Sequence, residues 1–146
     1  MVGLVFGLAI AALRRFPDAA RAADDGGWPR LAGATLWGRR LGVLGMGPHG
    51  REVARLGRAF GMEVVAWARP GSPPPTDDVP RFGLDELLPT SDVVTVHLRL
   101  SEESRGLLGE RELQLMKPGA VLMNTARGAI VDEVALYRPA GRLPAP

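Results

Sequence analysis

The stretch LGVLGMGPHGREVARLGRAFG, Leu41 to Gly61, decides the fold. Leu41-Gly42-Val43-Leu44 is an apolar run of the length of a buried strand. It leads into Gly45-Met46-Gly47-Pro48-His49-Gly50, after which Val53, Leu56, Gly57 and Phe60 recur at helical spacing. That pattern predicts an amphipathic helix over 49–60, closed by Gly61 as a C-cap glycine. A G-x-G-x-x-G between a strand and a helix has the physical parts of a dinucleotide cradle. Gly45 allows the tight turn, Gly47 lets a pyrophosphate approach the backbone, and Gly50 allows close helix-strand packing. The helix N-terminus adds free N–H groups and a positive dipole end. Pro48 suits the first helical position but removes one N–H, leaving His49 and Gly50 as the phosphate donors. Without a ligand, the same glycines would be a tight turn and nothing more.

Working outward, Glu63–Trp67, Asp92–His97 and Ala120–Asn124 are further apolar, β-branched runs. Between them the sequence predicts short helices over Leu84–Leu88, ended by Pro89, and over Glu110–Met116. Five prolines in residues 70–80 make that segment a loop. Ser101, followed by Glu102 and Glu103, has the form of a helix N-cap with acids in the first turn. A helix starts at Asp132 and runs to Tyr137, and Pro139, Gly141, Pro144 and Pro146 end regular structure. Upstream, residues 2–16 read as a helix stopped by Pro17, Asp18–Ala23 as a turn of helix, and Gly26-Gly27-Trp28-Pro29 as a breaker. Strands that are apolar on both faces and alternate with helices predict a parallel sheet covered on two sides. The expected division is an N-terminal helix and arm over 1–38, a dinucleotide-binding domain over 39–137 and an irregular tail over 138–146.

Composition narrows the function classes. The chain has 146 residues, 46% hydrophobic and 23% charged, the balance of a globular domain. With no cysteine, a disulfide scaffold, a thiolate metal site and a cysteine nucleophile are excluded. The only histidines, His49 and His97, are far apart in sequence, so no metal site is expected. Net charge is +2 and the arginines are scattered, without the basic stripe that a nucleic-acid binder needs. Val2–Leu13 is apolar but too short to span a membrane, and its Arg14-Arg15 follows it, the reverse of a signal peptide. It reads as a buried helix packed against another domain or subunit of a cytoplasmic protein.

The ribose reader belongs at the end of the second strand. An acid there would hold a 2′-hydroxyl and repel a 2′-phosphate. The sequence has Trp67-Ala68-Arg69 instead. Arg69 could pair with a 2′-phosphate, so the residues lean toward NADP over NAD. The alternative is a solvated loop arginine.

Three segments in order, Leu41–Gly61, LDELLPTSDVVTVH (Leu84–His97) and LMKPGAVLMNTARGAIVDE (Leu115–Glu133), resemble the NAD(P)-binding domain of the D-isomer-specific 2-hydroxyacid dehydrogenases. This family includes glyoxylate/hydroxypyruvate reductases and phosphoglycerate dehydrogenases. The resemblance runs from the first helix to about Leu136. It implies a Rossmann-type, doubly wound parallel sheet with an N-terminal helical arm. It also implies NAD or NADP as cofactor and hydride transfer to or from a 2-oxo or D-2-hydroxy acid. Arg127, in Asn124-Thr125-Ala126-Arg127-Gly128, corresponds to the family's substrate arginine. Thr125 and Ala126 lie where the family holds the nicotinamide end. His97 sits at a strand tip near the cofactor, or is a satisfied core or rim residue. His49 reads as a spacer in the glycine loop.

The departures set the remaining expectations. Nothing matches the family's catalytic His and the Glu that orients it, which come after the NTARG segment. The chain stops after Gly141-Arg142-Leu143, where the family continues through two more strands, so the sheet is expected to be incomplete at its C-terminal end. Arg99 stands where the family usually has Pro. The chain therefore reads as the cofactor-binding portion of such an enzyme, inactive alone and homodimeric through its first helix. The alternative is a non-catalytic nucleotide-binding or dimerising interaction module of the same fold, as in related transcriptional corepressors. No nucleic-acid or membrane partner is expected.

Overall fold

The computed structural model describes residues 2–28, 30–69, 71–72 and 78–137. Strands β1 (Arg40–Leu44), β2 (Glu63–Trp67), β3 (Val93–Val96) and β4 (Val121–Asn124) form one sheet in the order β2-β1-β3-β4. Every neighbouring pair is parallel, with Gly42 opposite both Val65 and Val94, and Val94 opposite Leu122. Parallel pairing requires crossovers, and helices supply them. α3 (Pro48–Ala59) joins β1 to β2, α4 (Leu84–Thr90) precedes β3, and α5 (Glu110–Leu115) precedes β4. α1 (Val2–Leu13) and α2 (Phe16–Asp24) come before the sheet, and a 3₁₀ turn (Gly128–Ile130) and α6 (Glu133–Tyr137) come after it.

Side chains of a strand alternate between faces, so each strand feeds two cores. Leu41, Val43, Val64 and Met123 pack with Val5 and Phe6 of α1 and with Val53 of α3. Leu44, Val65, Val94 and Val96 face the other way, onto Leu87 and Leu88 of α4. The sheet is thus doubly wound, as expected. Two glycines set the closeness of this packing. A Cβ on Gly57 would lie 2.6 Å from Leu41 Cδ2, and one on Gly42 would lie 2.6 Å from Leu87 Cδ2. Gly61 ends α3 with φ +73°. Its N–H donates to the Arg58 carbonyl (2.9 Å) and that of Met62 to the Gly57 carbonyl (3.0 Å), the paired bonds of a Schellman cap. At this same end of the sheet, Asp92 accepts from the Arg40 amide (2.8 Å) and Lys117 Nζ (2.9 Å). Burial alone would raise its carboxyl, but the Arg40 amide, Lys117 and Arg39 outweigh that and hold it below the usual range.

Four expectations are corrected. The first helix stops at Leu13, because Arg15 turns into the left-handed region (φ 56°). Pro17 then lies in the first turn of α2, where a missing N–H costs no helical bond, so it starts a helix rather than stopping one. Pro89 lies inside α4. It falls in the last turn, where the Thr90 and Ser91 hydroxyls donate to the Glu86 and Leu87 carbonyls (both 2.7 Å). Residues 102–106 form turns rather than a helix. Ser101 does not cap: its own N–H donates to Ser104 Oγ (2.8 Å), whose hydroxyl donates to the Arg99 carbonyl (2.8 Å). Finally, Val5, Phe6 and Ala9 of α1 are buried against the chain's own sheet, so that face of the helix is covered within the chain. Phe6 packs its ring against that of Phe60, just past α3, with centroids 4.9 Å apart, while Leu4 and Leu8 on the same helix stay exposed. The expected tail over 138–146, together with Pro70 and 73–77 of the proline-rich loop, lies outside the described residues.

Candidate functional site

The chain leaves β1 toward β2 on one side and returns to β3 on the other, so the strand order reverses between β1 and β3. In open α/β sheets, the crevice beyond the carboxyl ends of the strands at such a point is where ligands bind. The segments that follow the four strands carry all the candidate residues: Gly45–Gly47 with Pro48–Gly50 of the first turn of α3, Arg69, His97, and Thr125–Arg127.

The three glycines do different work. Gly45 turns at φ +100°, and a Cβ there would lie 2.8 Å from the His97 carbonyl oxygen. Its N–H donates to the Trp67 carbonyl (2.9 Å), while the His97 N–H donates to the Leu44 carbonyl (2.8 Å). A Cβ on Gly50 would collide with the Gly45 carbonyl, so the first turn of α3 sits directly on the glycine turn. Gly47 is different: its backbone is extended and nothing lies within 4 Å of a Cβ built on it. The first ladder bond of α3 runs from the Arg51 N–H to the Gly47 carbonyl (3.0 Å). Pro48 lies in that first turn, and the N–H groups of His49 and Gly50 precede the ladder and point out of the helix end. Arg51 Nη1 also donates to the Met46 carbonyl (3.1 Å), bracing the loop.

His97 is half-buried, with Nε2 3.0 Å from the hydroxyl of the fully buried Thr95. Burial, and then the charge of His49, push its pKa down to about 4, so it is neutral at neutral pH. Arg69 Nη1 lies 3.3 Å from Ser101 Oγ and 3.4 Å from Glu103 Oε2.

At the end of β4, the Asn124 side chain shapes the loop. Its Oδ1 accepts from the Ala126 N–H (3.1 Å) and its Nδ2 donates to the Arg127 carbonyl (2.7 Å). Arg127 enters the 3₁₀ turn with its guanidinium exposed, donating to the Ala126 carbonyl (2.9 Å). Thr125 Oγ1 is buried and has no hydrogen-bond partner among the described residues. Buried hydroxyls are nearly always satisfied, so this one calls for a ligand group. The open approach at Gly47, the helix end beside it and the orphaned Thr125 hydroxyl fit a dinucleotide. Among the described residues, no group of three or more His, Asp or Glu side chains could hold a metal, and no helix is long and apolar enough to cross a membrane.

Sequence reading leaves three contributors out. Asn124 is legible in principle, because an Asn that bonds the backbone two residues on is a common turn device. The Ser101–Ser104 knot and the brace from Arg51 to Met46 are contacts over three and five residues that the helix and turn patterns do not specify.

A doubly wound sheet with a glycine turn at its switch point defines a nucleotide-binding α/β domain. Residues 6–140 match the NAD binding domain of the D-isomer specific 2-hydroxyacid dehydrogenases, and the chain belongs to that family. It is 41% identical over 142 residues to a glyoxylate reductase of Aeropyrum pernix, covering 90% of this chain and 42% of that protein. Among solved structures, the TT0316 protein from Thermus thermophilus superposes with a TM-score of 0.85 at 42% identity, covering 92% of this chain and 44% of that one. The acyclic imino acid reductase Bsp5, solved with NADPH and D-Arg, gives a TM-score of 0.86 at 31% identity, covering 93% and 45%. The chain spans less than half the length of each of these relatives.

Proposed function

We propose that the chain binds NAD or NADP for hydride transfer between the coenzyme and a 2-oxo or D-2-hydroxy acid, and that alone it does not turn the reaction over. The observation that carries this reading is the pairing of an open glycine at the α3 N-terminus with the unpartnered buried hydroxyl of Thr125. When bound, the coenzyme supplies or accepts the hydride. The N–H groups of His49 and Gly50 take its pyrophosphate, and Gly47 lets it approach the backbone. Thr125 and Ala126 hold the nicotinamide end. The Arg127 fork takes the substrate carboxylate, and its charge draws electrons from the carbonyl carbon that receives hydride.

His97 is not tuned for the proton transfer that the reaction also needs. A general acid works best with a pKa near the operating pH, and His97 is pushed down to about 4. Without such a group the reaction forgoes about 10²–10⁴-fold in rate. Arg69 favours NADP over NAD, in keeping with the NADPH held by the Bsp5 relative. The exposed Leu4 and Leu8 favour a homodimer through α1. A cytoplasmic location and a small-molecule partner, with no nucleic acid or membrane, complete this reading.

The second reading is a non-catalytic nucleotide-binding or dimerising module. It is favoured by the further exposed apolar side chains Val134, Leu136 and Tyr137 on α6. Calorimetric titration with NADH and NADPH, with steady-state assays on glyoxylate and hydroxypyruvate, separates the two readings. The expected result is coenzyme binding without turnover. Failure of both coenzymes to bind at millimolar concentration would overturn the nucleotide reading, and clear turnover would overturn the claim of inactivity.

A further inference from the structure

We propose that Glu103 is a specificity-determining residue: by holding Arg69 across the carboxyl end of β1, it lowers the chain's preference for a coenzyme that carries a 2′-phosphate. The inference rests on the nucleotide reading above and goes beyond it in assigning a role to the loop after β3.

The strand order sets the distance between the two residues. β2 and β3 lie on either side of β1, and two steps across a sheet amount to about 10 Å. Arg69 follows β2, and Ser101 and Glu103 follow β3. Only a long side chain can close that gap, and in closing it the arginine spans the strand end from which the glycine turn emerges. The contact is thus a strap beside the route of any dinucleotide seated on Gly47.

The far end of the strap is built in. Ser104 is 2% exposed and ties its turn together through the Ser101 amide and the Arg99 carbonyl. Glu103 stays ionised, because the Ser101 hydroxyl first, and the charge of Arg69 more weakly, hold its carboxyl below the usual range. The strap itself is loose. Its two contacts are 3.3 and 3.4 Å, and the side chains of Arg69 and Glu103 are 41% and 70% exposed. Exposed pairs of this kind are weak enough for an entering ligand to open.

The two coenzymes meet this strap differently. A 2′-phosphate must draw Arg69 away from Glu103, or share it, with the Glu103 carboxylate left as a like charge nearby. A 2′-hydroxyl carries no charge and has no such contest. Glu103 therefore weakens the binding of the phosphorylated coenzyme selectively and tempers the lean that Arg69 creates.

Titration of the 146-residue chain with NADPH and NADH tests this, using the parent, Glu103→Gln, Arg69→Gln and the double variant. Glu103→Gln is expected to tighten NADPH about two- to fivefold, the range of one exposed ion pair, and to leave NADH within about twofold. The gain should shrink in the Arg69→Gln background. An unchanged ratio of the two affinities, an equal shift in both, or the same gain without Arg69 would overturn this inference and leave the nucleotide reading intact. Absence of binding by both coenzymes would overturn both.

Discussion

The carbonyl oxygen of His97 occupies the space that a side chain at Gly45 would need, at 2.8 Å from a Cβ built there. Two loops of the switch point are therefore locked to one another through a missing methyl. The positive φ of Gly45 adds a second objection to any other residue. Gly45→Ala is expected to destabilise the domain by about 2–4 kcal/mol, from backbone strain and steric overlap together. Urea unfolding followed by far-UV circular dichroism measures the loss.

Gly47 gives the contrasting case. Its backbone suits any residue and its surroundings are open. Gly47→Ala should cost no more than about 1 kcal/mol, the difference between the two residues at an N-cap. Coenzyme affinity should nevertheless fall at least about tenfold, because the methyl stands where the pyrophosphate must approach. Equal loss of stability and affinity would show that position 47 matters only to the fold.

Much of this is readable in the sequence, and the misreadings share one cause. Glu63–Trp67 stands as a strand with the bounds its apolar run implies, and the doubly wound sheet follows from strands apolar on both faces. Pro17 and Pro89 read as helix breakers because local rules treat proline as punctuation, yet both sit in terminal turns that tolerate it. The burial of Val5 and Phe6 against the sheet and the reach of Arg69 join residues distant in the chain. No local period encodes such contacts.

His97 supplies a pH test. Its pKa lies near 4 in the folded chain, against 6.5 when unfolded, first because burial disfavours the charged form and then because His49 is near. As pH falls between those values, the unfolded chain binds a proton that the folded chain resists, so stability drops; above that window this residue contributes no pH dependence. The loss should reach about 1–2 kcal/mol by pH 4, allowing for solvent screening of a partly exposed ring. Chemical denaturation at about pH 7, 5.5 and 4.5 should show the decline, and His97→Gln should flatten the share due to this residue.

Asn124 bridges Ala126 and Arg127 with two hydrogen bonds. Asn124→Ala should cost about 1–2 kcal/mol of stability and release the Arg127 loop. Amide hydrogen exchange should speed up across residues 125–128 while β1 stays protected. Unchanged exchange there would show that the pairing with the segment around Leu108 holds the loop without Asn124.

The outer face of α1 tests self-association. Leu4 and Leu8 are 56% and 45% exposed, while Val5 and Ala9 beside them are buried. The double variant Leu4→Glu, Leu8→Glu should leave the fold within about 1 kcal/mol, as surface changes do, and abolish a dimer. Light scattering on both chains decides it: a monomeric parent chain would remove the case for pairing through α1.

The unequal duties of the three glycines carry an evolutionary consequence. Gly45 and Gly50 are demanded by shape, whereas nothing in the fold demands Gly47, which serves only the coenzyme proposed above. A descendant that abandoned its coenzyme while keeping its architecture would drift first at position 47. Two of the fingerprint's three glycines would survive as a fossil of geometry, and the identity of that one residue would tell a retired domain from a working one.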